Sequence, residues 1–341
     1  MLSPSYGIEN KQTPSPEITE FKLNTSFQSK DAASSRILKT FVFDKTLEES
    51  RTISKLMQYF NLGEKVKVYL NHFEDLESIS QKVIDEYKLD IKLEDLRLNA
   101  SMMPDSHSSS GIQAYYYFAF VFDDLLIFRG LDYIELIKGL EGRENNLPAV
   151  VQEMLTVFMS HWKKDFGDKY TLLRTEAITW VTAVNQQLQV KFNQNEYFIF
   201  KLKCHASYLT LVLMFMLRDV NCTYLEYRTL QTTFEMFMFY INELASCVRE
   251  KNVGELTSVD KLFKTGDFSR ITEYCTQQIY TTMDGFDKDG GCNLMVSLEF
   301  KRLCKNTVFV HLASERYEKF FNSAALRRAQ STFTHCLVMT D

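Results

Sequence analysis

The sequence predicts an all-helical protein, and three observations carry that prediction. Hydrophobic residues make up 45% of the 341-residue chain, enough to bury a sizeable core. Only 12 Gly and 5 Pro are present, too few turn residues for a many-stranded β protein. Apolar residues recur at helical rather than alternating spacing along most of the chain.

Roughly the first 36 residues are rich in Ser, Thr, Pro and Asn and lack helical periodicity, so residues 1–36 read as a mobile extension and 37–341 as one packed domain. From there the period identifies helices in ISKLMQYFNL, LESISQKVIDEY, AYYYFAFVFDDLLIF, VVQEMLTVFMSHW, AITWVTAVNQQL, YLTLVLMFML, TLQTTFEMFMFYINELASCV and FSRITEYCTQQIYTTM, with no convincing hairpin between them. NASMMPDSHSSS, EGRENNLP and DGFDKDGGCN hold the polar, Gly and Pro residues that end helices.

The formal net charge of -5, with both signs interspersed, argues against nucleic acid as a partner. Seven cysteines without a C-x-x-C pair indicate neither a disulfide framework nor a zinc site, and fit a reducing cytoplasm. The N-terminus lacks the basic start and apolar core of a signal peptide, and the longest apolar run, near Leu209–Leu217, is too short to span a bilayer. The six histidines show no metal-ligand spacing and no paired nucleophile, so the pattern does not support a hydrolase.

Two constellations could carry chemistry. Asp123 and Asp124 end the aromatic run YYYFAFVF, where a carboxylate pair is costly to desolvate unless cations or donors meet it. Magnesium suits such a pair, since it takes hard oxygen ligands from one or two carboxylates together with substrate phosphates. In NELASCVRE, the oxygen-bearing side chains of Asn242, Ser246 and Glu250 fall at i, i+4 and i+8 and so share one helical face. That stripe continues the face of a strongly apolar turn, FEMFMFYI, where buried polar groups need partners. Arg249, Arg316 and Tyr317 add donors of the kind that clamp a diphosphate.

Together these residues resemble the class I terpene synthase family, in its microbial single-domain form, over about residues 115 to 320. Asp123-Asp124 looks like the start of the family's aspartate-rich motif, NELASCVRE is similar to its N-D-x-x-S-x-x-x-E motif, and Arg316-Tyr317 to its later Arg-Tyr pair. EYFIFKLKCHAS is similar to the segment that bears a diphosphate-sensing arginine, with Lys201 at that position. The chain departs from the pattern at Ile127 and Phe128, where a third acid is usual, at Glu243 in place of aspartate, and at Ala206, near a frequent glycine.

The resemblance implies a single large helical bundle of the class I terpenoid synthase type. It implies an enzyme that ionises a linear prenyl diphosphate, geranylgeranyl or farnesyl, and cyclises the carbocation to a hydrocarbon or alcohol. Three Mg2+ ions, with Mn2+ as a substitute, would be held by Asp123, Asp124, Asn242, Ser246 and Glu250, and the diphosphate by Lys201, Arg249, Arg316 and Tyr317. Tyr116, Phe120, Met238 and Phe239, one or two turns above the ligands, would line the substrate wall. The expected assembly is a monomer or homodimer. The alternatives are a catalytically silent helical bundle that binds a lipid or protein partner, and a prenyl transferase. The stretch FDKDGGCNLMVSLEF is no calcium loop, because Cys292 stands where that loop requires Gly and Leu298 where it requires Glu. By resemblance it is instead a mobile connection near the mouth of the site.

Overall fold

The computed structural model describes residues 35–42, 51–62, 65–103, 109–189, 202, 210–211, 213, 222–252, 268–289 and 292–314. Among them are ten α-helices: α1 Arg51–Tyr59, α2 Glu74–Tyr87, α3 Leu93–Ala100, α4 Ser110–Phe128, α5 Tyr133–Glu141, α6 Ala149–Phe166, α7 Tyr170–Gln189, α8 Tyr224–Asn252, α9 Phe268–Asp289 and α10 Leu294–Ala313. The all-helical expectation is met apart from one antiparallel pair, β1 Ser35–Val42 and β2 Lys65–His72, which face each other from Ser35 opposite His72 to Val42 opposite Lys65. The apolar alternation Val66, Val68, Leu70 is the period of a half-buried strand. It escapes a search for tight hairpins because α1 lies between the two strands.

α3, α5 and α10 were not among the expected helices, and the reason is local. α3 and α5 span eight and nine residues, too short for a clear helical period. Instead α5 is fixed at its ends, with Asp132 Oδ1 accepting from Ile134 N at 2.8 Å and Gly142 closing it in the left-handed region at φ 73°. α10 opens where Asn293 Oδ1 accepts from Val296 N at 3.0 Å, and it buries apolar side chains on more than one face, which blurs the period. Of DGFDKDGGCN, residues Asp284–Asp289 belong to α9, so the connection to α10 is shorter than the sequence suggested.

One continuous apolar core joins these helices. α4 is its centre: Phe118 packs edge-on against Trp162 of α6, with ring centroids 5.1 Å apart, and against Trp180 of α7 at 5.6 Å, while Phe122 meets Phe158 at 6.5 Å. A second group forms around α8, where Phe234 stacks on Phe237 at 6.0 Å and meets Phe300 of α10 at 5.8 Å. Phe60, just past α1, touches Phe237 at 5.9 Å. Among the described residues no helix is long and apolar enough to cross a membrane.

Candidate functional site

α4 is anchored firmly at its start. Ser109 caps it, its Oγ accepting from Ile112 N at 3.1 Å. Asp165 of α6 accepts from Ser109 Oγ at 2.7 Å and from Gly111 N at 2.6 Å, so a carboxylate meets the positive end of the helix. The approach leaves no room for a side chain at 111, where a Cβ would lie 2.8 Å from both Asp165 Cβ and Phe166 Cε2.

Two turns further, the side chains expected to line a substrate wall begin. Tyr116 is buried and Phe120 half-buried. The Tyr116 hydroxyl is buried with no hydrogen-bond partner among the described residues, while the neighbouring Tyr115 Oη lies 3.2 Å from Thr210 Oγ1. Burial pushes both phenols up, so each stays protonated and neutral. Asp123 and Asp124 follow one turn before the helix ends, and they point apart: Asp123 is half-buried, Asp124 only 1% exposed.

α8 carries the second constellation. Asn242 is half-buried, Ser246 is buried, and Asn242 Nδ2 donates to Ser246 Oγ at 3.2 Å, so the structure brings two of the expected ligands onto one stripe in direct contact. The wall residues below them, Met238 and Phe239, are buried, and Phe239 meets Tyr240 edge-on at 5.0 Å. Glu243, which replaces the usual aspartate, is fully buried and is turned away from the Asn242 stripe by one residue of helical rotation. The helix continues through Asn252, which keeps position 250 on that stripe, but the side chains of Arg249 and Glu250 lie outside the described residues. So do Lys201, Ala206, Arg316 and Tyr317.

Among the described residues α4 packs chiefly on α2, α3, α6 and α7, and α8 on α9 and α10, so the two motif-bearing helices have different main neighbours. Among the described residues no three His, Cys, Asp or Glu side chains converge as a metal cluster. What α8 offers is amide and hydroxyl oxygen, and what α4 offers is carboxylate oxygen. That donor set fits a hard divalent cation such as magnesium and does not fit a soft one.

Several polar clusters escaped the sequence reading because their members are distant in the chain. His161 bridges Ser110 Oγ, 2.8 Å from Nδ1, and Asp75 Oδ2, 2.7 Å from Nε2, so one histidine is paired with a serine and an acid after all. Ser110 is completely buried, which denies it a substrate, and the relay fastens α4, α6 and α2 together. Glu77, also buried, takes the Arg97 guanidinium through both carboxylate oxygens and His72 Nδ1 at 2.5 Å. His311 is buried, with Nδ1 2.8 Å from Thr307 O, and burial lowers its pKa to about 4, so it stays neutral.

The connection expected near the mouth of the site lies elsewhere. Asn293 N donates at 2.6 Å to Glu226 in the first turn of α8, whereas Asn242 is 16 residues further along, about 24 Å at the helical rise.

No protein-family model matches the chain, and no curated protein matches it in sequence. Among solved structures it is similar to linalool/nerolidol synthase from Streptomyces clavuligerus, with 12% identity, a TM-score of 0.49, and coverage of 70% of this chain and 96% of that one. It is also similar to isoprene synthase from leaves of grey poplar, Populus x canescens, with 17% identity, a TM-score of 0.51 and coverage of 78% of this chain. The chain spans 59% of the poplar protein. At such identities the likeness speaks to the fold, and the poplar comparison identifies it as the all-helical class I terpene synthase fold.

Proposed function

We propose that this chain is a terpene synthase that ionises a linear prenyl diphosphate, farnesyl or geranylgeranyl, and cyclises the carbocation to a terpene hydrocarbon or alcohol with release of diphosphate. The observation that carries this reading is the Asn242–Ser246 contact on α8, a polar stripe flanked by buried Phe239, Ile241 and Ala245. Amide and hydroxyl oxygens lined up on such a face can serve a cation or ligand that meets them.

Asp123 and Asp124 on α4, and Asn242, Ser246 and Glu250 on α8, would hold three Mg2+ ions, with Mn2+ as a substitute. Bound there, the metal supplies positive charge against the negative charge that builds on departing diphosphate. Lys201, Arg249, Arg316 and Tyr317 are proposed to grip the diphosphate oxygens, the arginines through their planar fork.

Tyr116, Phe120, Met238 and Phe239 are proposed to keep water from the allylic cation and shape its folding. The buried, protonated Tyr116 ring would meet passing positive charge by its face.

Incubation with geranyl, farnesyl and geranylgeranyl diphosphate, with and without magnesium, followed by gas chromatography–mass spectrometry of the organic extract, tests the reading. A magnesium-dependent terpene that Asn242→Ala abolishes is the expected result. No product from any of the three, with no binding of a diphosphate analogue, would leave a catalytically silent helical bundle.

A further inference from the structure

α8 and α10 start side by side. Both oxygens of one buried carboxylate, Glu226, join their caps: Oε2 accepts from Thr223 N at 2.7 Å and Oε1 from Asn293 N at 2.6 Å. The two first turns thus form one rigid tip, and what it presents to solvent is apolar. Tyr224 is 62% exposed, Leu225 73%, Leu294 72%, Met295 62% and Leu298 52%. Three other large apolar side chains among the described residues, Tyr59, Ile134 and Leu188, are exposed, and none belongs to α8 or α10. Scattered exposure is ordinary, but clustered exposure marks an interaction surface.

We propose that this tip docks on an anionic lipid bilayer. Arg228 and Arg302, both exposed, follow Tyr224 and Leu298 by four residues, which sets cationic groups one turn behind the apolar ones. Of the acids around the tip, Glu226 is buried and committed to backbone N–H groups, Asp287 is paired with Lys301 at 2.6 Å, and Glu299 beside Leu298 is half-buried. Apolar residues that lead and arginines that trail match the acyl boundary and the headgroup layer of an anionic membrane, and tyrosine favours that interface. A second copy of the chain fits less well, since a stable protein interface takes roughly 20–30 residues a side and this tip offers five apolar ones.

The surface lies about 27 Å along α8 from Asn242, so docking leaves the proposed diphosphate end free, and the inference does not depend on the proposed reaction.

Co-sedimentation of the full chain with phosphatidylcholine vesicles, with and without phosphatidylserine, is the test. Binding that requires phosphatidylserine, weakens with salt, and falls by about tenfold or more in the double variant Leu225→Glu/Met295→Glu is expected. Leu298→Glu, on a different turn, should weaken binding in the same direction. Thermal melts by circular dichroism verify that each variant stays folded, as substitutions at exposed positions should. No wild-type binding to either vesicle, or equal binding by the folded variants, overturns the proposal. A wild-type dimer by light scattering that the variants split, without vesicle binding, overturns it in favour of a second copy.

Discussion

The two ends of α8 use polar side chains in opposite ways. At the start, Glu226 spends its carboxylate on backbone N–H groups of Thr223 and Asn293, and so ties two helices that are far apart in the sequence. Toward the other end, Asn242 and Ser246 bond to each other along their own face, a contact that fastens α8 to no other element. α4 repeats the contrast. Its N-terminus is held by Asp165 and, through Ser110, by His161, whereas its acidic pair sits one turn from the opposite end. Polar groups that build the fold bond across elements to main chain or to a charge partner. Groups lined up along one helical face are candidates for chemistry.

The largest expected effect breaks that contrast on the functional side. Asn242→Ala should lower turnover of the accepted prenyl diphosphate by about a hundredfold or more, on the order of 3 kcal/mol in barrier, with the melting temperature nearly unchanged. A melting temperature that fell as far as the activity would make Asn242 a structural residue and erase the distinction.

Glu226→Ala should do the reverse. Losing two charge-assisted bonds to helix N-termini costs about 2–3 kcal/mol in chemical denaturation, while product identity stays the same. Burial works against the charge of Glu226, but the N–H bonds from Thr223 and Asn293 outweigh it and hold its carboxyl below the usual range. A lowered folded-state value means that this stabilisation is present above the ordinary carboxylate pKa and is lost as pH falls through the folded value. The acid limb of the stability profile should therefore flatten in Glu226→Gln.

How legible these two kinds of residue were in the sequence follows from the same difference. Asn242 and Ser246 are four residues apart on one helix, so spacing alone put them on one face. The long helices α2, α6, α7, α8 and α9 were readable for the same reason, because their pattern is local, and α4 by the length of its apolar run. Glu226, by contrast, stands in no pattern that points to Asn293, and its bond to that residue spans 67 positions. The His161 relay and the Glu77 network likewise join residues that no local period connects. The paired strands went unread because a helix separates them, and α10 because its burial extends around the helix.

His311 sharpens the contrast within the distal end itself. It lies near the end of α10, which starts beside α8, yet its burial and its Thr307 contact are those of a structural group. Its folded pKa of about 4 lies below the ordinary histidine value, so the unfolded chain takes up a proton first as pH falls. Stability should drop between about pH 6.5 and about pH 4, and His311→Gln should reduce that slope without moving the pH profile of turnover. A shift in the turnover profile would place His311 in the chemistry.

The smallest effect concerns Tyr116. A buried hydroxyl with no well-formed hydrogen bond among the described residues is a cost to folding unless something else uses it. If only packing were at stake, Tyr116→Phe would keep the ring, remove the unsatisfied group, and leave stability equal or higher by up to about 1 kcal/mol. In a terpene synthase the same change retains the aromatic face toward the cation, so turnover should stay within about twofold while product proportions shift. Stability gained without any change in products would assign Tyr116 to the core. A change in products at constant turnover would make its hydroxyl part of the surface that guides the cation, and would set it beside Asn242 rather than Glu226.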